Sequence, residues 1–263
     1  MTNNLKDVSP EIEAYLKRIG FEGKLDGSAA ALAALQERHL HAIPYENLDI
    51  YHGIPLSLEI EALYEKIVLR RRGGYCFELN ALFGWLLREL GYEVTDYVAR
   101  FWRDETNTPP KRRHHVLKVQ AGEKVFLCDV GVGGIVPRRP IEMAALLEQP
   151  QGDECYRLER DASFGWFLCE RKKGQWTRIY SFTEEPQLAK DYTMASFWCE
   201  HAPDSIFKQD IMLAIRTQEG RNTAAGREFR IFTSEGVRSF VPETTEAYNE
   251  ALYTYFGIQM DLT

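Results

Sequence analysis

A cysteine, a pair of histidines and an aspartate stand out in the first half of the chain: Cys76 in RRRGGYCFELN, His114 and His115 opening HHVLKVQ, and Asp129 near the end of KVFLCDV. A cysteine attacks carbon as its thiolate. It therefore needs a base, and the base needs a carboxylate or amide to orient it. Cys76 follows Gly73 and Gly74 and opens a run that reads as a helix from about Tyr75 to Leu90, with Gly91 as its stop. A first-turn position sets the sulfur near unpaired backbone N–H groups and the positive end of the helix dipole, with Arg70, Arg71 and Arg72 just upstream. All of these favour a thiolate. Turned at about 100° per residue, Cys76, Asn80, Phe83 and Leu87 share a line, with Leu79, Leu86 and Leu90 beside it, so the sulfur faces inward. Taken alone, the stretch fits a capped helix with an inert core cysteine equally well.

The other residues belong to predicted strands. KVFLCDV follows HHVLKVQ through a short turn at Ala121-Gly122-Glu123, so the hairpin brings Asp129 close to the histidines. Alternation groups Asp129 with Val125 and Leu127 on an apolar face, where a carboxylate requires a partner. The same alternation groups His115 with Leu117 and Val119, and His114 with Val116 and Lys118, which favours His115 as that partner. A metal site built from His114, His115 and Cys128 is disfavoured, because adjacent side chains on a strand point to opposite faces.

The elements that must position these residues fall in a clear order. Ser9-Pro10 starts a helix over EIEAYLKRI that Gly20 closes, Ser28 caps AAALAALQERHLHAI, and Ser57 caps LEIEALYEKIVL. From Tyr92 the period changes to alternation: YEVTDYVARFW, HHVLKVQ, KVFLCDV, CYRLERD, GWFLCERK and QWTRIYSF read as antiparallel strands of a barrel or tight sandwich. After Ala202-Pro203-Asp204 come a hairpin, REFRIFTSEGVRSFV, and a final helix, TEAYNEALYTYF. The expected fold is α+β, with an N-terminal helical bundle (1–91) carrying the cysteine, an antiparallel β-barrel (92–200) carrying His and Asp, and a small α/β lid (201–263).

Bulk properties narrow the function. The chain has 263 residues, 44% hydrophobic, with net charge −7, which argues against a nucleic-acid or anionic-membrane surface. The N-terminal residues show neither a signal nor a transit pattern, and no apolar run is long enough to span a bilayer; a cytoplasmic location is expected. Five cysteines without a CxxC imply neither a disulfide framework nor zinc.

The segment RRGGYCFELN resembles the active-site signature R-G-G-x-C-F-E-x-N of the arylamine N-acetyltransferases. IPYENLDI resembles the family's I-P-F-E-N-L, and DVGVGG its D-x-G-F-G loop. The family pattern H-x-x-L-x-V fits a start at His114 and not at His115, and His114 lies fifteen residues before Asp129, the family's spacing. The resemblance therefore overrules alternation and makes His114 the base, with His115 a supporting or surface residue. It implies a Cys76-His114-Asp129 triad on a scaffold similar to papain-like and transglutaminase-like enzymes. Acetyl-CoA would be the co-substrate, with no permanently bound cofactor, and arylamines, arylhydrazines or N-arylhydroxylamines would be acceptors of N- or O-acetylation. The run Gly131, Gly133, Gly134 with Arg138-Arg139 after it, and Lys111-Arg112-Arg113 before the histidines, suit the anionic phosphates of CoA; the resemblance adds CoA contacts at Ser205 and Phe207 and an acceptor pocket at Tyr45, Arg72, Gly74 and Val132. Tyr45 and Val132 both replace the family's phenylalanine. The rival readings are a cysteine hydrolase or amidotransferase using the same triad, and an aromatic-ligand binding module that has lost the chemistry.

Overall fold

The computed structural model describes residues 8–102, 108–134 and 136–260. Helix α1 (Pro10–Ile19) starts at Ser9, whose hydroxyl accepts from Ile12 N, and stops at Gly20. Helix α2 (Ala29–Ala42) is capped in the same way by Ser28. A two-residue strand β1 (Tyr45–Glu46) and a single turn α3 (Leu48–Tyr51) follow. Ser57 does not cap the next helix. Residues 54–58 belong to no helix or strand, Leu56 and Leu58 pack on a hydrophobic cluster, and α4 starts only at Ile60. Helix α4 (Ile60–Tyr64) widens into π-helical turns over Glu65–Leu69, and α5 (Cys76–Glu89) follows the glycine pair.

The middle of the chain forms an eight-stranded antiparallel sheet from β2 (Glu93–Phe101), β3 (Arg112–Ala121), β4 (Lys124–Cys128), β5 (Ile141–Glu142), β6 (Gln149–Gln151), β7 (Glu154–Asp161), β8 (Gly165–Lys172) and β9 (Gln175–Phe182). Its order is β5-β4-β3-β2-β9-β8-β7-β6. The two margins approach where Leu146 N donates to Leu158 O at 2.8 Å, so the sheet is a nearly closed barrel.

Helices α6 (Tyr192–His201) and α7 (Ile206–Gln209) lead to β10 (Met212–Arg216), β11 (Arg221–Ala225), β12 (Glu228–Thr233), β13 (Gly236–Phe240) and α8 (Thr245–Phe256). The expected hairpin is β12–β13. That hairpin belongs to a five-stranded sheet of order β1-β10-β11-β12-β13, whose edge strand β1 sets Tyr45 opposite Ala214. The N-terminal third is thus stitched to the C-terminal sheet by main-chain hydrogen bonds.

Helices and barrel share one core that runs from Tyr15 and Leu35 through Leu79, Phe83 and Leu87 to Val116, Leu158 and Tyr180. On α5 the residues Leu79, Leu82, Phe83, Leu86 and Leu87 are all fully buried. At about 1.5–3 kcal/mol for each such side chain, this face anchors the helix that carries Cys76. The five cysteines are free and buried. Among the described residues no helix is long and apolar enough to cross a membrane.

Candidate active site

Two local devices fix the N-terminus of α5. Glu78 reaches back so that its Oε2 accepts from Tyr75 N at 3.0 Å. A Cβ on Gly74 would lie 2.9 Å from that side chain, so only glycine leaves room for the bond. The other oxygen of Glu78 pairs with Lys66 at 2.7 Å, Lys66 with Asp49 at 2.7 Å, Asp49 with Arg72 at 2.8 Å, and Arg72 with Glu46 at 2.8 Å. Glu46 Oε2 then accepts from Leu48 N at 2.8 Å. Three carboxylates and two cations thereby bind the IPYEN segment to the start of α5, and each charge has an opposite neighbour.

The second device is Asn80, one turn beyond Cys76 on the same buried line. Its Nδ2 donates to His115 O at 2.7 Å and to Asp129 Oδ1 at 2.9 Å, and its Oδ1 accepts from Val130 N at 2.9 Å. Gly131 N donates to the same Asp129 oxygen at 2.8 Å. The other oxygen, Oδ2, accepts from His114 Nε2 at 2.7 Å, which leaves Nδ1 as the ring atom that can serve Cys76. Phe101 and Tyr180 flank the His114 ring at 5.6 and 5.2 Å between centroids. Burial disfavours a charged ring at His114, but the charge and hydrogen bond of Asp129, together with Cys76, push its pKa up to about 10. The site therefore holds an imidazolium at neutral pH beside a cysteine that is 3% exposed.

His115 points the other way, yet it is not a surface residue. It is buried, its Nε2 bonds Asp96 Oδ1 at 2.9 Å, and it stacks on Tyr192 at 4.2 Å. Alternation failed because β3 is covered on both faces. Hairpin register would have resolved it: Ala121 pairs with Lys124 and Leu117 with Cys128, so Asp129 falls opposite Val116 and shares a face with His114.

Cys76 and His114 open on a cleft of about 700 Å³. Of the residues expected there, Tyr45, Gly131, Val132 and Phe207 line it. The approach is close: a Cβ on Gly131 would sit 2.8 Å from Cys76 Cα and 2.5 Å from Asn80 Nδ2. Other expected residues lie outside the lining. Arg72 is spent in the ion-pair network, and Gly74 packs against Glu78. Gly133 packs behind, against Ala214. Arg138 pairs with Asp153 and Glu154, each at 3.5 Å, and Ser205 is buried, donating to Cys199 O at 2.6 Å. Sequence reasoning missed Phe101, Ala214, Thr223, Arg221 and Arg230, which also line the cleft. The signal for Asn80 was available as a polar residue on an otherwise apolar helical stripe. For the sheet residues the signal was absent, because β10 and β11 show no clean alternation.

A family model described as N-acetyltransferase matches residues 28–263. An arylamine N-acetyltransferase of Mycobacterium tuberculosis (strain ATCC 25618 / H37Rv) is 34% identical over 255 residues, which cover 95% of this chain and 90% of that protein. Among solved structures, the arylamine N-acetyltransferase from Salmonella typhimurium superposes with a TM-score of 0.91 at 29% identity, covering 97% of this chain and 94% of that one. The Mycobacterium marinum arylamine N-acetyltransferase in complex with CoA gives 0.86 at 33% identity, covering 94% and 92%. Sequence, fold and the geometry around Cys76 agree: the chain belongs to the arylamine N-acetyltransferase family and is an acetyltransferase.

Proposed function

We propose that the protein moves an acetyl group from acetyl-CoA to the nitrogen of arylamines or arylhydrazines, or to the oxygen of N-arylhydroxylamines, through a thioester on Cys76. The observation that carries this reading is the line Cys76, His114, Asp129, whose first two members open on one cleft, with the ring of His114 held charged by Asp129. In the first half-reaction the Cys76 thiolate, paired with the His114 imidazolium, attacks the acetyl carbonyl. The developing oxyanion meets the N–H groups of Cys76 and Phe77, which precede the first intrahelical donor, Glu78 N. The carbon–sulfur bond of acetyl-CoA then breaks, and His114 protonates the departing thiolate. In the second half the amine attacks the acetyl-cysteine, neutral His114 takes the amine proton, and the thiolate–imidazolium pair is restored. Asp129 orients the ring in both halves, and Asn80 and Gly131 N hold Asp129.

The cleft also has a direction that suits acetyl-CoA. Tyr45, Ala214, Thr223 and Arg230 are cross-strand partners in sequence over four adjacent strands. Three strand spacings make a path of about 14 Å away from Cys76. A pantetheine arm laid on this row would bring the phosphates to Arg221 and Arg230. We assign no CoA contact to Arg138 or Ser205: neither lines the cleft, and the Ser205 hydroxyl already donates to Cys199 O. We further read the chain as three units, 1–91, 92–200 and 201–263, although α6 runs across the second boundary to His201. A helix presenting the nucleophile to a barrel that presents its base is also the arrangement of papain-like and transglutaminase-like enzymes. A hydrolase using the triad is the rival activity. Initial-rate kinetics with acetyl-CoA and a series of arylamines decide between them: the proposal requires parallel reciprocal plots and acceptor-dependent CoA release. Intersecting plots, or CoA release indifferent to acceptor, would sink it.

A further inference from the structure

We infer that Gln36 and Arg216, neither of which lines the cleft, are positioning residues for the transfer: they fix the main chain at both ends of the glycine-rich segment and so set where Asp129 meets His114. The inference rests on the acetyl-transfer reading and adds to it two residues, from distant parts of the chain, on which the geometry of the triad depends.

The ladder between β3 and β4 ends at the pair Leu117 and Cys128, so the N–H of Asp129 must find its acceptor elsewhere. Gln36, on α2 and 1% exposed, supplies it. Its Oε1 accepts from Asp129 N at 3.4 Å, while its Nε2 donates to Pro137 O at 3.0 Å. One planar amide thus spans both ends of the segment and sets their separation. Beside Pro137, Val136 O accepts from Arg216 Nη2 at 2.5 Å. The same guanidinium is held by both oxygens of Glu154, at 3.0 and 3.1 Å. Arg216 is buried at the end of β10, and Glu154 opens β7. Helix, barrel and C-terminal sheet therefore all meet at the main chain of Val136 and Pro137.

Between these anchors the segment is wedged. A Cβ on Gly131 would lie 2.8 Å from Cys76 Cα, one on Gly133 2.7 Å from Ala214 O, and one on Gly134 2.9 Å from the Arg221 side chain. On one side stands α5 with the nucleophile, and on the other the pair β10 and β11. A shift of the main chain at Asp129 would pass straight to its carboxylate, which Gly131 N and Asn80 hold from within the wedge, and to the 2.7 Å contact with His114 Nε2. A misplacement of about 1 Å at a reacting centre costs on the order of a hundredfold in rate. Since neither Gln36 nor Arg216 lines the cleft, their effect belongs to the rate of acylation and not to the affinity for acetyl-CoA. The contrary account makes both side chains polar filler that satisfies buried main-chain groups and nothing more.

Gln36→Met keeps the length of the side chain and removes both of its hydrogen bonds. Arg216→Lys keeps a cation beside Glu154 and shortens its reach to Val136 O. Three measurements read the outcome: the NMR titration of His114, the rate of Cys76 alkylation by iodoacetamide at neutral pH, and single-turnover acylation by acetyl-CoA. In Gln36→Met the midpoint of His114 should fall by about one pH unit or more, and alkylation and acylation should slow roughly ten- to a hundredfold. The acetyl-CoA concentration giving half-maximal acylation should stay close to that of the unaltered protein. Arg216→Lys should show the same pattern with a several-fold effect. A folded Gln36→Met whose urea midpoint drops while its His114 titration and alkylation rate stay unaltered would overturn the inference. If Gln36→Met does not fold, Arg216→Lys decides by the same two readings, and unaltered values there overturn it equally. Titration and alkylation require no acetyl-CoA, so failure of acetyl transfer itself leaves their result standing and the two readings fail separately.

Discussion

Asp129→Asn removes one charge from the centre of the site and keeps the shape of the side chain. In the structure that carboxylate accepts from His114 Nε2 at 2.7 Å, from Asn80 Nδ2 at 2.9 Å and from Gly131 N at 2.8 Å. The rise of the His114 pKa from its ordinary 6.5 to about 10, at about 1.4 kcal/mol for each pH unit, is worth roughly 5 kcal/mol in favour of the imidazolium. Burial opposes it, so without the carboxylate the ring should become neutral below its ordinary range. The sign for stability follows. A raised folded pKa contributes stability fully below about 6.5, and that contribution fades as pH rises towards 10. The assay is the titration of His114 by NMR in protein labelled at its six histidines, with the signal assigned from His114→Gln. In the unaltered protein the ring should stay protonated from pH 5 to 9. In Asp129→Asn it should titrate below 6.5 and acetyl transfer should slow by on the order of 10²–10⁴. Urea midpoints should drop between pH 7 and 10 in the unaltered protein and much less in the variant. A His114 that titrates near 6.5 in both proteins would refute the reasoning.

Asn80→Ala strips buried partners from His115 O, Val130 N and Asp129 at once; denaturant unfolding should show a loss of roughly 3 kcal/mol or more, with slower Cys76 acylation at temperatures where the fold persists. Gly131→Ala should leave the far-UV spectrum unchanged and impair acylation, because its Cβ would press on Cys76 Cα at 2.8 Å; wild-type acylation rates would contradict the close approach. Lys66→Met leaves buried Glu78 without its cation at 2.7 Å, while Asp49 keeps Arg72, and should cost about 3–5 kcal/mol by chemical denaturation, since a buried carboxylate loses its partner.

The burial of the helix line that carries Cys76 was legible because helix phasing is a local property. Cys76, Asn80, Phe83 and Leu87 were legible as one buried line, and all four are buried. The choice between His114 and His115 was not legible from alternation, since both rings are buried, His115 against Tyr192 of α6 and His114 between Phe101 of β2 and Tyr180 of β9. Register across the Gly122 turn, which is fixed by the hairpin and not by hydrophobicity, held the answer. Long-range pairing hid the rest. Nothing local announces that Tyr45 becomes an edge strand beside Ala214, or that Arg221 and Arg230, separated in sequence from the triad by about a hundred residues, share its cleft. Arg72, expected in the acceptor pocket, is held by Glu46 and Asp49, and nothing local to the three arginines announces that pairing.

The central claim is that Cys76 carries the acetyl group. Incubation with acetyl-CoA in the absence of acceptor, followed by intact-mass and peptide mass spectrometry, should show one added acetyl group on the peptide containing Cys76, lost on adding an arylamine and absent from Cys76→Ala. An unmodified Cys76 under those conditions, or acetylation at another residue that persists in Cys76→Ala, would contradict the account.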